Sequence, residues 1–245
     1  MSLSLILLNS CMHSKSLHRQ TLDTEQMVVA IADNATSTTG YMQRYERKHK
    51  NWRRVGAPIM VNFGKHGLAW GRGLHTTIPE GEAYKKEGDG KAPEGIFKLS
   101  RAFGIDPKGL NLEFDYVTTH EALVCVDDSK STYYNQLVDT SVHPTDWDSH
   151  ENMLRGEDGL YKYGVVVEHN TSPAVAQGGS CIFMHIWRGE CKPTAGCTSM
   201  AEDNMLELIK WLRNSAHPTF VLVEKKYWSF LTKHYKLPKR FRIPH

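Results

Sequence analysis

The residues best equipped for chemistry lie between Gly178 and Met205, in the run GGSCIFMHIWRGECKPTAGCTSMAEDNM. Cys197 follows Gly196 at the end of a loop that also holds Gly189 and Pro193. A thiolate is the reactive form of cysteine, and a helix N-terminus stabilises it through free N–H groups and the helix dipole. Ser199, with Glu202 three residues later, has the pattern of a capping box, so the spacing predicts a helix starting directly after Cys197. Gly196 permits a tight turn, which places the N–H groups of Gly196 and Cys197 to hold an oxyanion. His185 falls on a predicted strand, Cys181 to Trp187, whose alternation sets Cys181, Phe183, His185 and Trp187 on one face. A chain reversal after it carries the imidazole to the thiol. A neutral imidazole can take the thiol proton and later return it to a leaving amine.

Three other readings of these residues stand beside the catalytic one. Cys197 and His185 also suit an ordinary buried cysteine and a core histidine. Cys181, His185, Cys191 and Cys197 are all zinc-ligand types, but their spacings, C-x3-H, H-x5-C and C-x5-C, lack the tight knuckles of structural zinc sites. Cys181 and Cys191 suit a disulfide in an oxidising compartment, whereas Cys125, inside Leu123-Val124-Cys125-Val126, reads as core packing. The five cysteines are an odd number, so at least one is free or paired with another chain.

The elements that must position these groups are short. The 245 residues suit one domain with appended segments, and 40% hydrophobic and 23% charged residues are an ordinary globular balance. The net charge of +3 is spread thinly, with local basic clusters only at Arg44 to Arg54 and Lys236 to Arg242. That excludes a strong electrostatic case for a nucleic-acid partner. No apolar run reaches the roughly 20 residues that span a bilayer. Strands are predicted at Ile59 to Phe63, Glu94 to Leu99, Ala122 to Val126, Tyr163 to Glu168 and Thr219 to Glu224. The continuous runs Val165-Val166-Val167 and Val221-Leu222-Val223 suit strands buried on both faces. The helix after Ser199 has Met205, Leu208 or Ile209, and Leu212 on one face and stops at His217-Pro218. Short helices are also expected within Thr21 to Thr39 and around Tyr134 to Val138. Thr145 to Gly159 reads as a long polar loop or lid.

Residues 1 to 25 are set apart as an export-signal remnant, on the short apolar run Leu3 to Leu8, or as a disordered leader. Leu8-Asn9-Ser10-Cys11 resembles a bacterial lipoprotein processing site, which would tether the protein to a membrane through lipidated Cys11. The absence of Lys or Arg before the run and Asn9 itself depart from that pattern. Residues 26 to 54 are taken as an N-terminal extension, and 55 to 245 as the main domain with a basic tail.

The His185 strand, followed by Thr194-Ala195-Gly196-Cys197, resembles the active-site region of the YkuD-type L,D-transpeptidases, bacterial peptidoglycan enzymes. Lys86 to Phe97, containing Gly88-Asp89-Gly90-Lys91-Ala92-Pro93, is similar to the family's second signature. Val126-Asp127-Asp128, Tyr134-Asn135 and the strand Gly164 to Asn170 are similar to one branch of the family. The resemblance covers about residues 55 to 225. It departs from many members at Ala195, at Ser199 and in the short His185-to-Cys197 spacing. It implies a mainly β, β-sandwich-like catalytic domain with a few short helices. It implies Cys197 as nucleophile, His185 as base, and the Ile186 carbonyl orienting the imidazole. The substrate implied is a peptidoglycan stem tetrapeptide, attacked at diaminopimelate with release of D-Ala to an amine, without metal or organic cofactor. Thr194, Arg188, Trp187, Tyr133 and Tyr134 are candidates to line the groove, and the Gly88 to Gly95 loop is a structural turn. A monomer in the bacterial cell envelope is expected. Water in place of the amine would make the enzyme an L,D-carboxypeptidase, and loss of catalysis would leave a wall-binding lipoprotein.

Overall fold

The computed structural model describes residues 19–154, 158–238 and 241. Cys11 and the apolar run before it lie outside the described residues. The chain is mainly β, with short helices. Its principal sheet uses β1 (Gln26–Ala32), β2 (Thr39–Lys48), β3 (Asn51–Asn62), β4 (Leu68–Trp70), β5 (Ala92–Gly104) and β6 (Tyr116–Thr118). It is completed by β10 (Tyr163–Val167), β11 (Phe183–Ile186), β12 (Thr198–Met200) and β13 (Thr219–Glu224). The order is β10-β11-β12-β3-β2-β1-β13-β5, and β5 pairs back to β10, so eight strands close into a barrel. Closure removes the exposed edges of an open sheet. A second, three-stranded sheet, β8 (Leu137–Asp139), β7 (Leu123–Val126) and β9 (His150–Asn152), lies outside it.

The period-2 alternation of strands decides which core each residue joins. In β1, Val28, Ala30 and Ala32 enter the principal core, while Met27, Val29 and Ile31 enter a second. In β13, Phe220 and Leu222 enter the first and Val221 and Val223 the second. Helix α1 (Glu202–Trp211) adds Met205, Leu208 and Ile209 to the first core, and helix α2 (Trp228–His234) adds Leu231 to the second. A third core forms where the small sheet meets β10 and β11, and it contains Phe103, Cys125, Tyr161, Phe183 and Cys197.

Several expectations are corrected. The region 21–39 forms no helix: its apolar stretch is β1, fully buried between β2 and β13. The segment 26–54 thus supplies β1, β2 and the start of β3 to the barrel. No helix forms at Tyr134 to Val138, because Asn135 adopts a left-handed φ of 63° and Leu137 then pairs with Cys125. The strand predicted from Cys181 begins only at Phe183, since Cys181 has a φ of 53°. Val166 is half-buried rather than fully enclosed. Ser199 is not a helix cap: Thr198–Met200 is a strand, and α1 begins at Glu202 with Ala201 at its N-cap position. That helix ends at Trp211, short of His217-Pro218, although its predicted apolar face is the buried one. The segment 145–159 contains β9, and Asp146 accepts hydrogen bonds from Thr132 Oγ1 at 2.7 Å and from Ser131. These contacts tie its first part to the 127–132 loop.

One buried acid gives the barrel a pH dependence. Glu94 in β5 is 2% exposed, and its Oε1 accepts the Glu224 N–H at 2.5 Å. Burial, aided by the nearby Glu224 carboxylate, pushes the Glu94 carboxyl up to about 7. Below the unfolded value near 4.5 both states are protonated. Between there and about 7 the folded state keeps a proton the unfolded state releases, so this group lowers stability as pH rises, and the loss is complete above 7. Glu94→Gln is expected to gain stability over wild type as pH rises from 4.5 to 8, by an amount of order 3 kcal/mol. Denaturant unfolding at several pH values checks this.

Candidate active site

The site is built on the pairing of β11 with β12. The two strands run parallel, with Met184 opposite Thr198, His185 opposite Ser199 and Ile186 opposite Met200. Extending the register sets Cys197 beside Phe183, and the Phe183 N–H donates to Cys197 Sγ at 3.3 Å. Phe183 and His185 are two residues apart on one strand, so both face the same way. Tyr161 confirms this by packing edge-on against both rings, at centroid distances of 5.6 and 5.4 Å. Cys197 belongs to the same third core. His185 on β11 and Cys197, the residue directly before β12, are therefore diagonal neighbours on one face, 6% and 9% exposed.

The imidazole has a defined tautomer. His185 Nδ1 lies 2.7 Å from the Ile186 carbonyl oxygen. A carbonyl can only accept, so Nδ1 carries the hydrogen and neutral His185 presents a basic Nε2. Cys197 Sγ also lies 3.7 Å from the Cys181 carbonyl, as a thiol donor.

The loop from Trp187 to Gly196 sets where the thiol sits. Asn62, fully buried at the end of β3, donates from Nδ2 to the Gly189 carbonyl at 2.9 Å and accepts the Cys191 N–H at 3.1 Å. Thr194 donates its N–H to the Phe63 carbonyl at 2.8 Å. Its hydroxyl donates to the Cys197 carbonyl at 2.6 Å and accepts the Gly196 N–H at 3.1 Å. Gly196 has a φ of 154°, and a Cβ there would lie 2.9 Å from the Lys91 carbonyl oxygen. The Gly88 to Gly95 loop thus packs against the turn that carries Cys197. It is itself a turn held by Asp89, whose carboxylate receives Lys85 Nζ at 2.6 Å and the N–H groups of Lys86 and Lys91.

This geometry changes several sequence assignments. The Gly196 N–H is engaged by Thr194, which removes it from the expected oxyanion pair. The α1 N-terminus does not sit at Cys197, because β12 separates the two. Thr194 is a buried turn residue. Tyr134 is also buried, its hydroxyl donating to Glu87 at 2.5 Å and accepting the Gly179 N–H at 3.1 Å. Burial and the Glu87 carboxylate raise its phenol well above the ordinary value. Trp187 is half-buried and gives its backbone N–H to the Met200 carbonyl. Arg188 is exposed and reaches Asp158 at 3.5 Å.

The disulfide is Cys125–Cys181, not Cys181–Cys191. It joins the small sheet to the residue whose carbonyl faces Cys197 Sγ. This also takes Cys181 out of the suggested zinc set, and among the described residues no three His, Cys, Asp or Glu cluster as a metal site. Cys191 is a free, exposed thiol. Sequence reasoning missed the Phe183 N–H, the packing of Tyr161 and the brace supplied by Asn135, whose Oδ1 accepts the Cys181 N–H at 2.8 Å. It also missed the setting of Ser199, which is 1% exposed, stands opposite His185, and has an Oγ with no hydrogen-bond partner among the described residues.

No family model and no curated protein matches the chain. Two solved structures are similar, both of the helical cell shape determining protein Pgp2 from Campylobacter jejuni, one of them a mutant form. The mutant form shares 13% identity over 83% of this chain and 48% of its own, at a TM-score of 0.40. The other shares 13% identity over 82% of this chain and 49% of its own, at a TM-score of 0.37. The chain spans about half the length of these structures, and the likeness is too low to carry an argument about activity. Among the described residues no helix is long and apolar enough to cross a membrane.

The disulfide closes a sequence separation of 56 residues around the small sheet. Reduction is expected to cost about 4 kcal/mol on a chain-entropy estimate. A drop in thermal midpoint with reductant, absent in a Cys125→Ala/Cys181→Ala variant, checks this.

Proposed function

We propose that this protein is a cysteine acyltransferase of the L,D-transpeptidase kind, acting on peptidoglycan stem tetrapeptides in the bacterial cell envelope. The observation that carries the reading is the diagonal placement of His185, on β11, and Cys197, directly before β12, with Nδ1 locked on the Ile186 carbonyl. The motifs around Thr194 to Cys197 and Gly88 to Pro93, which resemble those of the YkuD-type enzymes, supply the substrate class.

His185 Nε2 takes the Cys197 thiol proton, and the sulfur attacks the carbonyl of diaminopimelate. The carbon–sulfur bond forms, the carbon–nitrogen bond to D-Ala breaks, and the imidazolium returns its proton to the departing D-Ala amine. An amine of a second stem then attacks the thioester carbonyl: the new carbon–nitrogen bond forms, the carbon–sulfur bond breaks, and His185 takes the amine proton and returns it to the departing Cys197 thiolate. The Phe183 N–H aimed at Sγ favours the thiolate. Burial of both groups favours an amine held in the site over bulk water.

Mass spectrometry of disaccharide-tetrapeptide incubated with wild type and with Cys197→Ala tests the reading. Dimers lacking one D-Ala, made by wild type alone, are expected. Monomers lacking D-Ala, without dimers, would make the protein an L,D-carboxypeptidase. Unchanged substrate would refute both and favour a wall-binding protein.

A further inference from the structure

The proposed mechanism leaves unused a groove on the barrel's outer face beside β11. Two hollows of about 300 and 380 Å³ adjoin there and share Arg101, Glu168, Thr171 and Ser172. The inner one ends on the Cys125–Cys181 disulfide and on Phe183, the residue whose N–H meets Cys197 Sγ. Val166 pairs with Phe183 across β10 and β11, and both join the third core with Cys197. The groove therefore opens on the face that carries the thiol, with β11 between them, and neighbouring strands are only about 4.8 Å apart.

The charges along it are unspent. Arg101 and Lys98 are exposed and Glu168 is half-buried. None of the three makes an ion pair within the described residues. This holds even though the Glu168 N–H donates to the Lys98 carbonyl at 2.9 Å, which makes the two residues cross-strand neighbours. Arg72, at the far end, is already committed: its guanidinium covers the Tyr84 ring at 4.6 Å and donates to the Lys85 and Gly178 carbonyls. Leaving exposed charges unpaired costs the fold little. A ligand with only negative charge would meet Glu168 unfavourably, and one with only positive charge would meet Arg101 and Lys98. The complement of this groove carries both signs at once.

We propose that the groove is a specificity subsite for a zwitterionic side chain of the peptide substrate. Arg101, which lines both hollows, receives its carboxylate, and Glu168 receives its ammonium. The assignment rests on the stem-peptide reading and names the feature of the stem that is recognised. The disulfide and Phe183 close the end of the groove nearest the thiol, which would set the side chain's distance from Cys197.

Two stem tetrapeptides that differ only at the third residue test it. One carries diaminopimelate, with carboxylate and ammonium; the other carries lysine, with ammonium alone. Calorimetric affinities are measured on the Cys197→Ala protein, which cannot consume them, alone and with Arg101→Ala or Glu168→Gln added. Turnover is measured on the same two substitutions with Cys197 intact. The Cys197→Ala protein is expected to prefer the diaminopimelate peptide about tenfold, the effect of one charge-assisted contact. Arg101→Ala should abolish the preference, and Glu168→Gln should weaken both peptides about tenfold. Arg101 is exposed and Glu168 half-buried, and matching thermal midpoints should show that the variants fold. Equal affinity for the two peptides, or a preference unchanged in both variants, overturns the subsite. A preference that Arg101→Ala removes, in a protein that with Cys197 intact turns over neither peptide, sustains the groove while refuting the acyl-transfer reading. Normal turnover with both variants matching their parent does the reverse.

Discussion

Everything at the site depends on the parallel pairing of two very short strands. β11 and β12 share three register positions, and that register sets His185 and Cys197 as neighbours. A slip by one residue would turn one of the two side chains to the opposite face and part them. Pairs this short do not hold their own register, and the surroundings hold it for them. Asn62 grips the intervening loop at Gly189 and Cys191, Thr194 fastens the turn to Phe63, and Gly196 fits where a Cβ would strike the Lys91 carbonyl. On the other flank β10 pairs with β11 and the barrel closes through β5. The rigid body of the molecule thus converts local contacts into one placement of the thiol.

Three cores share one closed sheet, and each strand face has a different cover. The principal core takes the apolar face of α1, the second takes α2, and the third takes the small sheet. The third core is the one that holds Cys197. Its cover is fastened by the Cys125–Cys181 disulfide and by Asn135, whose amide also donates to the carbonyls of His169 and Asn170 at 2.8 Å. The same cover forms one end of the charged groove, so the wall that shields the thiol also borders the proposed subsite.

Part of this was legible in the sequence for physical reasons. Thr219 to Glu224 and the apolar face of α1 were readable because periodicity reports burial directly. The Ile186 carbonyl contact to His185 followed from resemblance. Other features depend on tertiary pairing that a local pattern does not carry. Ser199 and Glu202 fit a capping box, but residues 198–200 pair with β11 and Ser199 with Asn62 of β3, and the helix waits until those bonds end. β1 was missed because small polar residues follow it, yet its place between β2 and β13 buries it on both faces. The partner of Cys181 depends on where the small sheet docks, and sequence spacing does not encode that. The Phe183 N–H is a backbone group, invisible to any reading of side-chain types.

The central claim is that His185 and Cys197 act as one ionisable unit. It is tested most directly by the pH dependence of Cys197 alkylation, with iodoacetamide as reagent and the Cys197 peptide quantified by mass spectrometry so that Cys191 does not interfere. An ordinary thiol ionises near pH 8.5. In wild type, half-maximal reactivity should fall well below that value, and His185→Ala should move it back up. Identical profiles for the two proteins would contradict the claim and leave Cys197 as a buried core cysteine.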